Sequence, residues 1–518
     1  MISTGKAELL LKSNCIYTAA CEEPIAGFVA IANGNILAVG SEGEQAYMDG
    51  NTAVYELGDR LVCPGFSDVH CFFTGYVLRF VGADLSSAGT AEEVISIMKR
   101  YSSEQSAEKA LLGYGWDSKK IPNADAAILD EAFADRPVIL FEKGQEACWM
   151  NNEAQKTYQF TPDTCYPEAY WRLLGEVLGD RAFIVPEFKK YMAMMNSRGV
   201  TSVKEMGFDD FYGFTDVLEE LERKNELTLR VHFMSQPVGS EMNLEYGKRM
   251  RERFQGDYVR FSGYNRMTDG SISQLCGDLK MPYCCAPYSC CAQEIDYGLI
   301  EKETLEADAE NFRFSLHAQG DAAIGKVVDI YEKCKRAHGK LVNRHSITDL
   351  EFSDPADLER MGKLGVIAEI YPQIMAIADR ESKLGMIQEK IGMERGGFYW
   401  NRRKMADSGV ILSCGTDLPL LIDDIPESIY HACGGQFPEG GEPFNKENTL
   451  TVQEVMRAWT VGGQYNLYRE HELGTLEAGK KADIAVLDGN VFTESMEYMR
   501  SIKVCLTLVE GKVVYTSL

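Results

Sequence analysis

Short apolar runs alternate with helix-like stretches through the middle of the chain, and this alternation constrains the fold more than any other feature. The strand-like runs are residues 137–141, 199–203, 229–233, 313–317, 366–370 and 410–414. Helix-like stretches such as 322–334 and 355–364 lie between them. Alternating strands and helices over roughly 400 residues are typical of a parallel sheet with helical crossovers. No Gly-x-Gly-x-x-Gly follows an early strand, so a closed (β/α)8 barrel fits better than an open sheet.

Both ends of the chain are rich in strand-like runs, unlike the middle. Residues 28–32 and 36–40 flank the turn signal Asn33-Gly34-Asn35, and further runs lie near the C-terminus at 483–487, 503–509 and 513–515. Neither end is large enough to bury a core of its own. We therefore expect residues 1–62 and 473–518 to form one small β-sandwich. Residues 63–472 would form the barrel, with an insertion around residues 75–200.

The charge balance excludes several classes of partner. The 518 residues include 53 Lys and Arg against 78 Asp and Glu, a formal net charge of −25. Binding to nucleic acid or to an anionic membrane needs clustered cations, so neither partner is expected. The N-terminus has no signal-peptide pattern, and no apolar run is long enough for a membrane span. Scattered cysteines are compatible with a reducing compartment, so we expect a cytoplasmic protein with a small-molecule substrate, and a homodimer stays open.

One strand end stands out as a site for chemistry. The apolar run 61–66 leads into Asp68-Val69-His70. Barrel enzymes carry their reactive groups at the C-terminal ends of the strands, where His70 could ligate a metal. The alternative is a packed histidine at the end of a strand.

The run Pro64-Gly65-Phe66-x-Asp68-x-His70 resembles the opening motif of the amidohydrolase superfamily. Further fragments, in the same order, resemble the branch typified by N-substituted formamide deformylase; they are residues 113–117, 199–203, 269–271, 317–321, 344–347, 415–419 and 473–483. The resemblance implies an α/β fold, with a distorted (β/α)8 TIM-like barrel and a small β-sandwich formed from both termini. It also implies hydrolysis of a carbon–nitrogen bond in an amide, a formamide or a cyclic imide.

The resemblance also implies a set of site residues. In the family, one or two divalent metals polarise the substrate carbonyl and activate a water, while an aspartate takes the proton of that water. Carried over position by position, His70, His317, Asp349 and Asp417 would hold one divalent metal, with Zn²⁺ the expected ion. Asp417 and His317 would be catalytic. A site without metal is a serious alternative.

Several positions depart from the family pattern. Phe72 replaces the second histidine of the first strand, Asp349 replaces the sixth-strand histidine, and Asn265 replaces the lysine that becomes carboxylated. Asn265 cannot carry a carbamate, so two metals are not expected. Gln145 and Lys204 stand where the family commonly has histidines. Contacts with the substrate are expected from Trp116, Gln145, Lys204, Asn265 and Phe72.

The same substitutions keep other interpretations open. The scaffold could be a non-hydrolytic pseudoenzyme or binding protein, or a lyase or isomerase that uses the same pocket. Lys204 could pair with Asp349 or bind an anionic substrate, although a structural ion pair is the default. Cys71 could be a nucleophile, and the thiol cluster between Cys276 and Cys291 could bind a metal. His345 is expected to be structural.

Overall fold

The computed structural model describes residues 5–78, 80–105, 110–143, 148–162, 173, 175–207, 213–237, 240–420 and 424–518. The chain divides into two compact units. The first unit contains Met1–Cys71, Tyr191–Asp209 and Glu219–Leu518, and the second contains Phe72–Lys190 and Asp210–Leu218.

Eight parallel strands form the centre of the first unit. They are β1 (Phe66–Cys71), β2 (Val200–Gly207), β3 (Arg230–Ser235), β4 (Val259–Met267), β5 (Phe314–Ala318), β6 (Ser346–Asp349), β7 (Ile367–Ile370) and β8 (Ile411–Cys414). Their order in the sheet follows their order in the chain, from β1 to β8. Most residues of these strands are buried, as expected for parallel strands covered on both faces.

The ends of β1 and β8 meet and nearly close the barrel. Cys71 forms an isolated parallel bridge with Leu418, and the Asp417 N–H donates to the His70 carbonyl at 2.8 Å. A Cβ added at Gly415 would lie 2.7 Å from the Cβ of His70, so this approach requires glycine. The first and last strands of the barrel are thereby joined beside His70.

Helices follow the strands in the alternation that the sequence predicts. Those of the barrel region are Phe214–Arg223, Leu244–Arg253, Tyr297–Ala309, Asp321–Tyr331, Pro355–Leu364, Arg380–Lys390, Met393–Gly396, Arg402–Asp407, Ile425–Gly434, Val452–Arg457, Gly463–Asn466 and the π-helix Ala458–Gly462. Pro355–Leu364 shows how local sequence sets the ends. The side chain of Asp354 accepts from the Ala356 N–H at the start, and Gly365 ends the helix at φ 74°.

Strands from both termini share one eight-stranded sheet. Its members are Leu9–Ile16, Ile25–Ala32, Asn35–Gly40, Ala53–Glu56, Leu61–Pro64, Ile484–Leu487, Val504–Val509 and Lys512–Thr516. Ile484–Leu487 pairs antiparallel with Leu61–Pro64, so the two ends of the chain meet directly. Their apolar side chains fill one core cluster. The predicted fold class, a distorted barrel with a β-sandwich from both termini, is confirmed.

A buried ion pair links the C-terminal segment to the barrel. Arg230, at the start of β3, donates to both carboxylate oxygens of Asp483 at 2.8 and 3.0 Å. Both side chains are almost fully buried. The bidentate geometry matches the planar guanidinium fork, and it fixes the strand that follows Asp483 against the barrel.

The second unit has its own sheet and core. Its strands are Ala83–Asp84, Leu111–Trp116, Val138–Glu142 and Cys148–Met150, and its helices include Phe73–Leu78, Ala91–Glu104, Ala126–Ala132 and Asn152–Tyr158. Apolar side chains from these elements, Leu111, Val138 and Trp149 among them, form one cluster. The unit overlaps the insertion expected around residues 75–200, although the exact domain boundaries stay a prediction.

The helices and the cysteines bear on whether the protein spans a membrane and on its cellular compartment. Among the residues that the structure describes, no helix is long and apolar enough to cross a membrane. Cys148 is disulfide-bonded, whereas cysteines such as Cys63, Cys334 and Cys505 are free. A disulfide is unusual in a reducing compartment, so the cytoplasmic location stays a prediction.

Candidate active site

One histidine–carboxylate pair lies where β1 meets the segment after β8. His70 Nε2 is 3.7 Å from Asp417 Oδ1, and the Asp417 side chain is 26% exposed. Asp417 has φ 53°, in the left-handed region that is strained for a residue other than glycine. Such strain persists only where the surrounding structure holds it, and it is common at functional sites.

A second pair lies at the ends of β5 and β6. His317 Nε2 is 3.1 Å from Asp349 Oδ2, while His317 Nδ1 is 3.4 Å from Asp269 Oδ1. Asp349 also has a left-handed backbone, with φ 77°. Its Oδ1 is buried and has no hydrogen-bond partner among the described residues. The imidazole of His317 is therefore held between two carboxylates.

These surroundings shift the pKa values of two groups. Burial lowers the pKa of His317, but Asp269 and Asp349 outweigh burial and raise it to about 10. Burial and the negative charge of Asp349 raise the pKa of Asp417 to about 8. Without a bound cation, His317 would be an imidazolium and Asp417 mostly protonated at neutral pH. A cation among the carboxylates would favour the ionised form of Asp417 that a general base requires.

Asp269 and Gln319 support this site, although the sequence alone does not indicate a role for them. Asp269 accepts backbone N–H groups of Gln319 and Gly320, each at 2.9 Å, and the Gln319 side chain donates to Asp349 Oδ2 at 2.9 Å. The motif 269–271 was recognised, and Gln319 follows His317 by two residues. Their positions were thus visible in the sequence, but their contacts were not.

A buried ion pair crosses the barrel interior next to His70. Lys204 on β2 donates to Glu369 Oε1 on β7, and both side chains are fully buried. Burial lowers the pKa of Lys204 to about 8 despite the opposing charge of Glu369. Lys204 therefore pairs with Glu369 and not with Asp349, which the sequence argument had offered as its partner. Its prediction as a substrate contact stays a prediction.

The donor set suits one divalent metal in type. Two imidazoles and two carboxylates, from His70, His317, Asp349 and Asp417, are ligands that Zn²⁺ accepts. The buried Oδ1 of Asp349, which accepts no hydrogen bond from the described residues, could coordinate such an ion. Among the described residues, however, these four do not bring three ligand atoms within 4.8 Å of one another. The four residues form two separate pairs, His70 with Asp417 and His317 with Asp349. To bind one ion, the two pairs of side chains would have to move closer to each other.

The remaining predicted substrate contacts fall in different places. Asn265 on β4 is buried, and its amide donates to Gln236 Oε1 at 3.1 Å. Trp116 lies in the core of the second unit, where its indole N–H donates to the Leu140 carbonyl at 2.9 Å. Phe72 is half-buried at the start of the second unit, and Gln145 lies outside the described residues. The substrate roles of all four stay predictions.

Another cluster has metal-ligand residue types but the wrong hydrogen bonds. Ligand atoms of Asp308, Cys334 and His345 lie within 4.8 Å of one another. The Phe314 N–H donates to His345 Nδ1 at 2.9 Å, which places the ring proton on Nε2, 2.9 Å from Asp308 Oδ1. A protonated Nε2 cannot ligate a metal, so the cluster has a structural role. We call the hydrogen bond between His345 Nε2 and Asp308 Oδ1 the Asp308–His345 lock. This agrees with the structural role expected for His345.

The cysteine alternatives gain no support. The Cys71 thiol is buried and donates to Glu205 Oε1 at 3.5 Å, and burial together with the charge of Glu205 raises its pKa well above the usual value. A thiol of this kind is a poor nucleophile. In the loop cluster, Cys284 and Cys285 are exposed, and Cys291 Sγ donates to the Cys276 carbonyl at 3.2 Å. No ligand set like that of a metal site is found there among the described residues.

Comparison with known proteins bears on the whole chain. A family model described as the amidohydrolase family matches residues 53–515. The N-substituted formamide deformylase of Arthrobacter pascens is 21% identical, over 99% of this chain and 99% of the relative. Protein LONG AFTER FAR-RED 3 of Arabidopsis thaliana is 23% identical, over 98% of this chain and 92% of the relative.

Solved structures agree in fold. The crystal structure of an uncharacterized metal-dependent hydrolase from Pyrococcus furiosus superimposes with a TM-score of 0.73 at 21% identity. The match covers 94% of this chain and 100% of that chain. At this level of identity the likeness concerns the fold alone, and function must be argued from the site.

Proposed function

Because the chain belongs to the amidohydrolase family, we propose that it hydrolyses a carbon–nitrogen bond of a small-molecule amide, formamide or cyclic imide. The observation that carries the proposal is the pair of histidine–carboxylate contacts, His70 with Asp417 and His317 with Asp349. The four residues lie at or just beyond the C-terminal ends of β1, β5, β6 and β8. Barrel enzymes build their active sites at these strand ends. The formamide class is supported by the relative from Arthrobacter pascens, which bears that substrate in its name.

In the proposed reaction, Asp417 takes the proton of the attacking water and later returns it to the leaving amine. Its Oδ1 lies 3.7 Å from His70 Nε2, beside the other residues of the candidate site. His317 Nε2 would donate to the developing oxyanion in place of Asp349, or hold the metal, while Asp269 fixes the ring at Nδ1. A divalent ion held by His70, His317, Asp349 and Asp417 would polarise the carbonyl and lower the pKa of water.

The experiment is a hydrolysis assay on the purified protein with and without added Zn²⁺. Substrates would be an N-formyl amine, a cyclic imide and a dipeptide, since the family assignment alone does not separate these bonds. Asp417→Asn keeps the size of the side chain but removes the base, so we expect a rate loss of about 10²–10⁴-fold. Asp407→Asn is the matched control, because Asp407 is exposed and its ion pair is with Arg403, four residues earlier in the same helix. Unchanged turnover in Asp417→Asn would contradict the proposal.

The second candidate is a non-hydrolytic binding protein on the same scaffold. It is favoured by Asn265, which hydrogen-bonds Gln236 and cannot replace the carboxylated lysine of the family. A binding protein would retain affinity for its ligand in Asp417→Asn and show no turnover in the wild type. We further propose a cytoplasmic location and a small-molecule ligand, with nucleic acid and membranes excluded as partners, while a homodimer stays open to a sedimentation measurement.

A further inference from the structure

Glu369 is a carboxylate whose two oxygens serve different partners. Oε1 accepts from Lys204 and from Asn466 Nδ2, the latter at 3.0 Å. Oε2 lies 3.5 Å from His70 Nδ1 and accepts from Ser315 Oγ at 3.4 Å. The residue is fully buried on β7. One oxygen is therefore committed to a cation and an amide, which leaves the other for the imidazole.

A carboxylate beside one ring nitrogen determines which nitrogen carries the proton. The negative charge at Oε2 favours a proton on the near nitrogen, His70 Nδ1. The lone pair then lies on Nε2, which is the nitrogen that faces Asp417 Oδ1 at 3.7 Å. Carboxylates that hold histidines in this way fix both the tautomer and the orientation of the ring.

Lys204 keeps this carboxylate ionised and in place. Its ammonium group is fully buried and also donates to Asn466 Oδ1 at 3.2 Å. Asn466 in turn donates to Ser413 Oγ on β8 at 3.0 Å. Lys204 of β2 and Asn466 thus hold Oε1 of Glu369 on the side away from His70, while Ser315 of β5 donates to Oε2.

We propose that Glu369, oriented by Lys204, is a positioning residue that holds His70 in the tautomer whose Nε2 faces the reacting groups. This inference rests on the proposed function, in which His70 belongs to the site. The simpler alternative is that Glu369 only neutralises Lys204 in the barrel interior. The two readings differ in what happens when both charges are removed together.

The first measurement uses the wild-type protein without metal. Selective nitrogen-15 labelling of histidine and long-range proton–nitrogen NMR report the protonated nitrogen of each ring, and His70→Gln identifies the signal of His70. We expect the proton on Nδ1. A proton on Nε2 in the wild type would overturn the proposal, whatever the behaviour of any variant.

The second measurement uses Glu369→Gln together with Lys204→Met, which removes both charges and avoids an unpaired buried cation. Asn466 Nδ2 requires the amide oxygen at the Oε1 position, so the amide NH₂ of the new side chain would face His70 Nδ1. We expect the ring proton to move to Nε2, because Nδ1 then accepts. Zn²⁺ affinity, measured by competition with a chelating dye, should fall by about 10–100-fold. If the double variant is folded and both the His70 tautomer and the Zn²⁺ affinity are unchanged, Glu369 is only the counter-ion of Lys204 and the proposal is wrong.

Asp483→Asn together with Arg230→Met is the matched control, since it also removes a buried carboxylate and the buried cation that pairs with it. It should leave the His70 signal and Zn²⁺ affinity unchanged. If the wild type neither binds Zn²⁺ nor hydrolyses any substrate, the proposed function fails. The NMR measurement still tests the role of Glu369 in that case, so the two failures are distinguishable.

Discussion

Thr416 donates its backbone N–H and its hydroxyl to the two carboxylate oxygens of Asp68, at 3.0 and 2.5 Å. The contact joins β1 to the segment after β8. Asp68 lies two residues before His70, and Thr416 directly precedes Asp417, so the contact links the backbones that carry these two site residues. Asp68 is fully buried; burial raises its pKa to about 7, although the hydrogen bonds from Thr416 and His70 oppose the shift. The geometry of the candidate site thus depends on a carboxylate that need not touch substrate.

Thr416→Val tests this contact. The variant removes the hydroxyl that donates to Asp68 Oδ2 and accepts from the Leu418 N–H, so the free energy of unfolding should fall by about 1–3 kcal/mol. Urea denaturation measures the change. Thr493→Val, at an exposed position, should change the free energy by less than about 0.5 kcal/mol. Equal effects in the two variants would show that the contact with Asp68 contributes nothing.

Gly415→Ala should disturb His70 directly. The added Cβ would lie 2.7 Å from the Cβ of His70. The backbone cannot easily move apart there, because the Asp417 N–H donates to the His70 carbonyl at 2.8 Å. Overpacking of this kind costs about 1–3 kcal/mol of stability, and hydrolysis should fall with it. Gly385→Ala is the control, because nothing lies within 4 Å of its added Cβ. The idea is wrong if Gly415→Ala retains wild-type stability and activity.

Metal analysis of the purified protein should give at most one equivalent per chain. Asn265 cannot be carboxylated, and its amide already donates to Gln236. Phe72 offers no electron pair to an ion. Inductively coupled plasma mass spectrometry after dialysis is the measurement. Two equivalents, lost together in His317→Ala, would contradict the single-ion site.

Acid should weaken the Asp308–His345 lock. Burial raises the pKa of Asp308, but hydrogen bonds from His345, Lys335 N–H and Asn343 outweigh burial and hold it below the usual 3.8. The folded state therefore binds this proton less readily than the unfolded state, and the stabilisation is present above the unfolded pKa. It is lost as the pH falls through the folded pKa.

Asp308→Asn makes the effect measurable. The variant should be less stable than the wild type at neutral pH, and the difference should shrink as the pH falls below about 4. Urea denaturation across this range gives the difference, and a chelator should have no effect on it. A constant difference at all pH values, or destabilisation by the chelator, would count against the lock.

The fold was predictable because its signals are local. Five of the eight barrel strands, β2, β3, β5, β7 and β8, overlap apolar runs of the sequence, whereas the run 137–141 lies in the second unit. His70, His317 and Asp349 stand at or near the ends of barrel strands. The partner of Lys204 was not predictable in this way. Glu369 lies 165 residues further along the chain, and only the closed barrel brings the two together. A single carboxylate within the apolar run 366–370 was a signal of a buried partner, but not of which one.

Asp308 and His345 illustrate the same limit. His345 directly precedes β6, but Asp308 lies in the helix Tyr297–Ala309, 37 residues earlier. Contacts of this kind depend on how a helix packs against the strand that follows it. Residue types alone would have suggested a metal here, and only the hydrogen bond from Phe314 decides otherwise.

The shared terminal sheet has a consequence for the order in which the chain folds. Ile484–Leu487 lies between Leu61–Pro64 and Val504–Val509, so it supplies the neighbour of an early strand. While the ribosome is still making the barrel, the edge at Leu61–Pro64 is open and able to pair with other chains. The later segment therefore also removes a hazard of aggregation that the earlier segment creates.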